Sequence, residues 1–105
     1  MRCLLLVALL LSSLCGQAAS VAEWQRQLRT QPADTGRVRL LNALCYTLHD
    51  NDPNLALPYG EQAVTLARGL SDRPGLMRGL LALASCYATL ADGPHALELQ
   101  QEALL

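Results

Sequence analysis

The chain has 105 residues, 51% of them hydrophobic, with one Trp, three Tyr and no Phe. Length and content suffice for one small domain whose core is Leu and Ala. The net charge is −1, and the eight basic residues are all Arg, spread along the chain rather than clustered, so a polybasic footprint for nucleic acid is excluded.

Residues 1–19 read as a signal peptide. Arg2 supplies a minimal positive start, Cys3 to Leu14 an apolar stretch, and Gly16-Gln17-Ala18-Ala19-Ser20 small residues for cleavage after Ala18 or Ala19. The apolar stretch falls short of the roughly 20 residues a transmembrane helix needs. Lipid anchoring at Cys15 is disfavoured because Leu14 stands where such a signal wants Gly, Ala or Ser. The expectation is therefore export, to a periplasmic or other extracytoplasmic space. Loss of Arg2 leaves seven Arg against nine acidic residues, a mature charge of −2.

Residues 20–34 read as a lead helix and linker. Ser20 with Glu23 has the form of a capping box, and Trp24 and Leu28 anchor the helix until Gln31-Pro32 ends it. The next helix takes Asp34 or Thr35 as cap and lines up Val38, Leu41, Leu44, Cys45 and Leu48 on one face. Asp52-Pro53 then reads as cap plus first helical residue. The helix it opens carries Ala56, Ala63, Val64 and Ala67 and is expected to stop near Gly69. Pro58 argues against that helix, because an interior proline removes a donor at a cost of about 3 kcal/mol; a kink or a later start is expected there. Asp72 with Pro74, and Asp92-Gly93-Pro94, open two further helices. Gly60 and Gly79 are read as points of close helix contact.

The pattern repeats. Leu41, Leu44, Cys45, Leu48, Ala56, Gly60 and Ala63 are followed about forty residues later by Leu80, Leu83, Ala84, Tyr87, Ala96, Gln100 and Ala103. Two amphipathic helices with small residues at their contacts, written twice, resemble the tetratricopeptide repeat, whose first helix runs Trp-x2-Leu-Gly-x2-Tyr and whose second runs Ala-x3-Phe-x2-Ala. The second unit fits better. In the first, Cys45 stands for the close-contact Gly, Leu48 for the Tyr and Gly60 for the aromatic, and the turn between helices is one residue shorter. The spacing exceeds the standard thirty-four residues, and the surplus lies around Arg68 to Pro74. The implied fold is all-α, a tetratricopeptide-like array of helical hairpins (an α-solenoid) with a lead helix, a first repeat over 35–70 and a second over 71–105.

A narrower resemblance is carried by Pro32-Ala33-Asp34-Thr35-Gly36-Arg37-Val38-Arg39-Leu40-Leu41-Asn42-Ala43-Leu44. It is similar to the start of the repeat regions that follow a signal peptide and precede sensor histidine kinases in Bacteroidetes-type bacteria. This resemblance implies an extracytoplasmic sensory or protein-interaction region of a signal-transduction protein. A stand-alone exported adaptor is the alternative, as is a fragment of a histidine kinase whose catalytic domain lies beyond this chain.

Catalysis finds no support in the residues. Ser85-Cys86-Tyr87 lacks the glycines of a nucleophile elbow, and His49-Asp50-Asn51-Asp52-Pro53 is a polar turn ending in a cap. No phosphate loop, cofactor motif or metal-ligand spacing is present, since His49 and His95 do not pair with either mature cysteine. Cys45 and Cys86 occupy non-equivalent positions in their units and are read as two small buried hydrophobes rather than a disulfide.

What remains is a surface. The tetratricopeptide resemblance implies that the first helix of each unit lines a concave face, which places Arg39, Asn42, Tyr46 and His49 there from the first unit, and Arg78, Leu81, Ser85 and Ala88 from the second. Two arginines suit an acidic or C-terminal peptide, because guanidinium grips carboxylate through two hydrogen bonds. A protein or peptide partner is therefore expected, and no nucleic acid or cofactor. The stripe Ala96, Leu97, Ala103, Leu104 and Leu105 on the last helix is expected to lie open and to favour self-association.

Overall fold

A computed structural model describes residues 20–104 of the chain. The signal-peptide reading, Cys3, Cys15 and Leu105 lie outside the described residues. Those described are predominantly helical, with no strand among them: α1 (residues 20–30), α2 (Thr35–Leu48), α3 (Pro53–Leu70), α4 (Arg73–Thr89) and α5 (Gly93–Leu104). None of these helices is long and apolar enough to cross a membrane.

Aspartates cap the start of every helix after the first. The Asp34 carboxylate accepts from Arg37 N at 3.1 Å, Asp52 from Leu55 N at 3.2 Å and Asp72 from Gly75 N at 3.1 Å. Asp92 does the same for α5, accepting from His95 N at 3.3 Å. Each satisfies a donor that the first helical turn leaves unpaired. The hydrogen bond from Arg37 N, and then that from the Gln31 side chain, hold the Asp34 carboxyl below its ordinary value.

The joints α3–α4 and α4–α5 are built alike. Ser71 (φ 55°) and Ala91 (φ 61°) adopt the left-handed conformation. At the first joint Ser71 N donates to Arg68 O at 3.2 Å and Asp72 N to Ala67 O at 2.9 Å. At the second Ala91 N donates to Ala88 O at 3.1 Å and Asp92 N to Tyr87 O at 2.8 Å. This is the Schellman arrangement twice over, without the glycine it usually selects. In each joint one aspartate closes the preceding helix with its N–H and opens the next with its carboxylate. The stop expected near Gly69 falls at Leu70, with Ser71 as the cap. The expected shorter turn in the first unit is corrected: residues 49–52 separate α2 from α3 and residues 90–92 separate α4 from α5, because α4 runs past Tyr87 to Thr89 whereas α2 ends at Leu48. Pro58 lies inside a continuous α3, one turn past its start, so the helix does not begin later.

Each of α2 to α5 packs on the next, and α2 also packs on α4. Leu41, Leu44, Leu80, Val38, Cys45 and Cys86 are the largest fully buried side chains, so the core sits between these helices. Glycine permits the close crossings: a Cβ on Gly60 would lie 2.6 Å from Leu83 Cδ2 and 2.8 Å from Cys45 Sγ, and one on Gly79 3.0 Å from Val64 Cγ2. Buried Ala56, Ala63 and Ala67 bring α3 equally close.

Helix α1 is tied to the next two helices. Gln25 Nε2 donates to Tyr59 Oη on α3 at 3.1 Å, and Arg37 Nη1 on α2 donates to Leu28 O at 2.8 Å and Gln31 O at 2.9 Å. Arg37 therefore caps the C-terminal carbonyls of α1, the end of a helix that favours a cation. Trp24 and Leu28 are half-buried, as anchors would be.

The stripe expected to lie open on α5 does so at Leu97 and Leu104 and is corrected at Ala96 and Ala103. Ala96 is buried, and Leu99 and Ala103 pack against the cluster of Val64, Leu80 and Leu83. Leu97 and Leu104 point outward, 55% and 87% exposed.

Candidate functional site

Where α2 lies beside α4, their side chains enclose a groove of about 790 Å³. Thr35, Arg39, Asn42, Ala43 and Tyr46 come from α2, and Pro74, Gly75, Arg78, Leu81, Ala82 and Ser85 from α4, with Asp72 at the cap. Six of the eight residues expected on the concave face meet here: Arg39, Asn42, Tyr46, Arg78, Leu81 and Ser85. Their spacing of three to four residues along each helix keeps them on one side.

His49 and Ala88 do not line it. Helix α2 ends at Leu48, and His49, its C-cap, turns back so that Nδ1 meets Tyr46 O while Nε2 lies 3.2 Å from Asp50 Oδ1. Ala88 is exposed near the end of α4, beyond the groove. Both corrections have the same cause: the shared face continues only while both helices do.

The groove floor is made of small residues that sequence reasoning missed, Ala43, Ala82 and Gly75. Ala43 and Ala82 each follow a groove arginine by one helical turn, and this i+4 relation is the signal that would have revealed them. Gly75 has a second reason: a Cβ there would meet Asp72 Oδ2 at 2.3 Å and Val38 Cγ1 at 2.7 Å.

Two features give the groove a chemical character. Neither Arg39 nor Arg78 forms an ion pair with any described residue, whereas Arg26 pairs with Glu23 and Arg68 with Glu102. The lining's single carboxylate, Asp72, is engaged as the cap of α4. The second feature is Asn42, which is 9% exposed. Its Nδ2 donates to Gly75 O at 3.1 Å, fixing the orientation of the amide, and its Oδ1 has no hydrogen-bond partner among the described residues. An unmet buried acceptor costs about 1–3 kcal/mol. Tyr46 (65% exposed) and Leu81 (44% exposed) supply apolar surface at the rim. The Ser85 hydroxyl donates to Leu81 O at 3.1 Å, leaving its oxygen as an acceptor.

Another hollow, about 660 Å³, lies on the outer side of α3 around Pro58, Gln62 and Leu66. It is wide open to solvent, and its one charged liner is Glu61, so it offers no convergent polar groups. Among the described residues no three His, Cys, Asp or Glu side chains come together as metal ligands.

Cys45 and Cys86 are buried and unbridged, as expected, but they are not apart. Their position in the repeat predicts side chains directed at different neighbours, yet the two sulfurs lie 3.6 Å apart, both fully buried. The reason is geometric. The side of α2 that meets α4 carries Cys45 and the side of α4 that meets α2 carries Cys86, so positions that do not correspond in the two helices are the ones that touch.

Comparison with family models, curated proteins and solved structures returned no match.

Proposed function

We propose that the α2–α4 groove binds a peptide segment bearing a carboxylate, and that the chain is a non-catalytic interaction or sensory module of tetratricopeptide type. In this reading it is exported and forms the N-terminal part of a bacterial signal-transduction protein. The observation that carries the proposal is the placement in one groove, one on each wall, of two arginines without acidic partners among the described residues.

The division of labour follows from chemistry. Arg39 and Arg78, one from each wall, hold the carboxylate of an acidic side chain or a chain terminus. Asn42 stands behind these side chains, its amide held to α4 by the Gly75 carbonyl. Tyr46 and Leu81 cover apolar side chains, and Tyr is suited to this because its ring adds area at small entropic cost. An extended peptide fits the arrangement, since the groove runs along both helices, from Thr35 to Tyr46 on α2 and from Pro74 to Ser85 on α4.

The test is capture of a set of acidic peptides with free C-termini, each compared with its C-terminally amidated form. The double charge reversal Arg39→Glu/Arg78→Glu should abolish capture while the far-ultraviolet dichroism stays helical. Arg39→Ala or Arg78→Ala alone should weaken it by at least about tenfold, the equivalent of one hydrogen bond to a charged group. Equal capture by the parent chain and the double variant would overturn the assignment of this groove.

A further inference from the structure

The two sulfurs in the seam are placed for covalent chemistry. Cys45 and Cys86 sit on different helices, forty-one positions apart in sequence, and meet at 3.6 Å inside a cluster with Ala56 and Ala82. Leu48, Leu57 and Tyr59 pack around that cluster. On the open side of the same walls lie Tyr46, next to Cys45, and Ser85, next to Cys86. Any bond between the sulfurs would fasten the two walls of the groove to one another.

We propose that Cys45 and Cys86 form an intramolecular disulfide that bolts α2 to α4 behind the groove. The two thiols give up two protons and two electrons to an external disulfide, small-molecule or protein-borne, which is reduced to two thiols. One cysteine attacks it as a thiolate, releases the first thiol and leaves a mixed disulfide; the other cysteine displaces the second thiol and closes the bond. An oxidising compartment supplies such an acceptor.

Burial determines when this happens. It raises both thiols above the ordinary cysteine range, and for Cys45 the adjacent Cys86 adds to the effect. The folded reduced chain therefore holds both sulfurs as protonated thiols out of reach of an oxidant, and exchange is slow. During folding, before α3 closes over them, both are accessible. Once made, the bond is shielded from reductants by the same packing. Gly60 belongs to this cover, because a Cβ at that position would lie 2.8 Å from Cys45 Sγ. The pairing stands independently of what the groove binds.

The experiment uses the full chain, refolded from denaturant in a mixture of oxidised and reduced glutathione, alkylated and digested with trypsin. Cleavage at arginine places Cys45 in peptide 40–68 and Cys86 in peptide 79–105, apart from Cys3 and Cys15. The expected product is these two peptides joined by a bond that reductant cleaves. The oxidised chain should melt at least about 10 °C above the reduced one, because the closed loop restricts the unfolded chain. Cys45→Ala/Cys86→Ala keeps two small apolar side chains in the seam and should melt close to the reduced form whatever the redox buffer. Separately alkylated Cys45 and Cys86 after refolding, or bonds to Cys3 or Cys15 in their place, would overturn the proposal. So would a linked product that melts no higher than its reduced form.

Discussion

Helices α3 and α5 hold the same place in their two hairpins, yet they are packed very differently. Helix α3 is in contact with α2 on one side and α4 on the other, and buries Ala56, Gly60, Ala63, Val64 and Ala67. Helix α5 lies along α4, reaches α3 only through side chains, Leu99 at the cluster with Val64 and Glu102 with Arg68, and buries just Ala96. The sequences differ to match: α3 places small residues at every crossing, whereas α5 has Ala96 and Ala103 inside and leaves Leu97 and Leu104 in solvent. A helix covered on two sides gains area at both but loses room for side chains. A helix covered on one side is held by less and tolerates more.

The sharpest way to break this contrast is to add one methyl group to each of two glycines in α3. At Gly60 a Cβ would press on Leu83 from α4 and Cys45 from α2, with neither side able to withdraw from a closed core. Gly60→Ala should cost about 2–3 kcal/mol, the range for overpacking, despite alanine's better helix propensity. At Gly69 nothing lies within 4 Å of the added Cβ. There the propensity term acts alone, and Gly69→Ala should stabilise by up to about 1 kcal/mol. Denaturant unfolding of both variants checks the pair; equal effects would mean that α3 is not confined between its neighbours.

On α5 the corresponding pair is made of leucines. Leu99 packs against Val64, Leu80 and Leu83 from its half-buried position, so Leu99→Ala should cost about 1–2 kcal/mol, below the full core value. Leu97 is 55% exposed, and Leu97→Ala should change stability by less than about 0.5 kcal/mol. Reversal of that order would restore the outward stripe as the packed face.

The same pair shows how much of the molecule was legible in its sequence. Helix starts were, because an aspartate before each of four helices and prolines in three first turns are local signals that need no partner. The outer faces of α2 and α4 were legible too, because repetition placed Arg39 with Arg78 and Tyr46 with Ser85. The inner face of α5 was not. Ala96-Leu99-Ala103 and Leu97-Leu104 are both acceptable helical stripes, and only tertiary packing decides which of them faces the cluster of Val64, Leu80 and Leu83. The cysteine contact was hidden for a related reason: equivalence within a repeat describes how each unit is built, not which positions meet between units. His49 was lost to a helix end that fell one residue earlier than the face required.

Helix ends offer a smaller effect. Ser71 and Ala91 carry side chains in the left-handed conformation, which costs roughly 1 kcal/mol that glycine avoids. Ala91→Gly should stabilise by about 0.5 kcal/mol once the freer unfolded chain is allowed for. Ser71→Gly should behave the same way, since the two joints share their hydrogen bonds. Thermal melts of the two single variants and their combination would check this. Additive gains are expected for sites in separate joints, and a loss at either would show that its side chain has a stabilising contact.

The smallest expected effect concerns the charged link between the two helices compared. Arg68, in the last turn of α3, forms an ion pair with Glu102 near the end of α5, with the side chains 52% and 41% exposed. This is the one ion pair among the described residues that joins two helices. The geometry is good for Arg68 in another respect, because the C-terminal end of a helix favours a cation. Solvent screening and the entropy of holding two long side chains offset most of the attraction, so a double-mutant cycle with Arg68→Ala and Glu102→Ala should give a coupling of about 0.2–0.5 kcal/mol. Raising the salt to about 1 M, where the screening length is near 3 Å, should remove most of it. A coupling above about 1 kcal/mol that survives salt would mean that α5 is fastened mainly by charge. In that case the contact of Leu99 with Leu80 and Leu83 would be the lesser of its two attachments, and the ion pair would outrank Leu99 in what holds α5 to its neighbours.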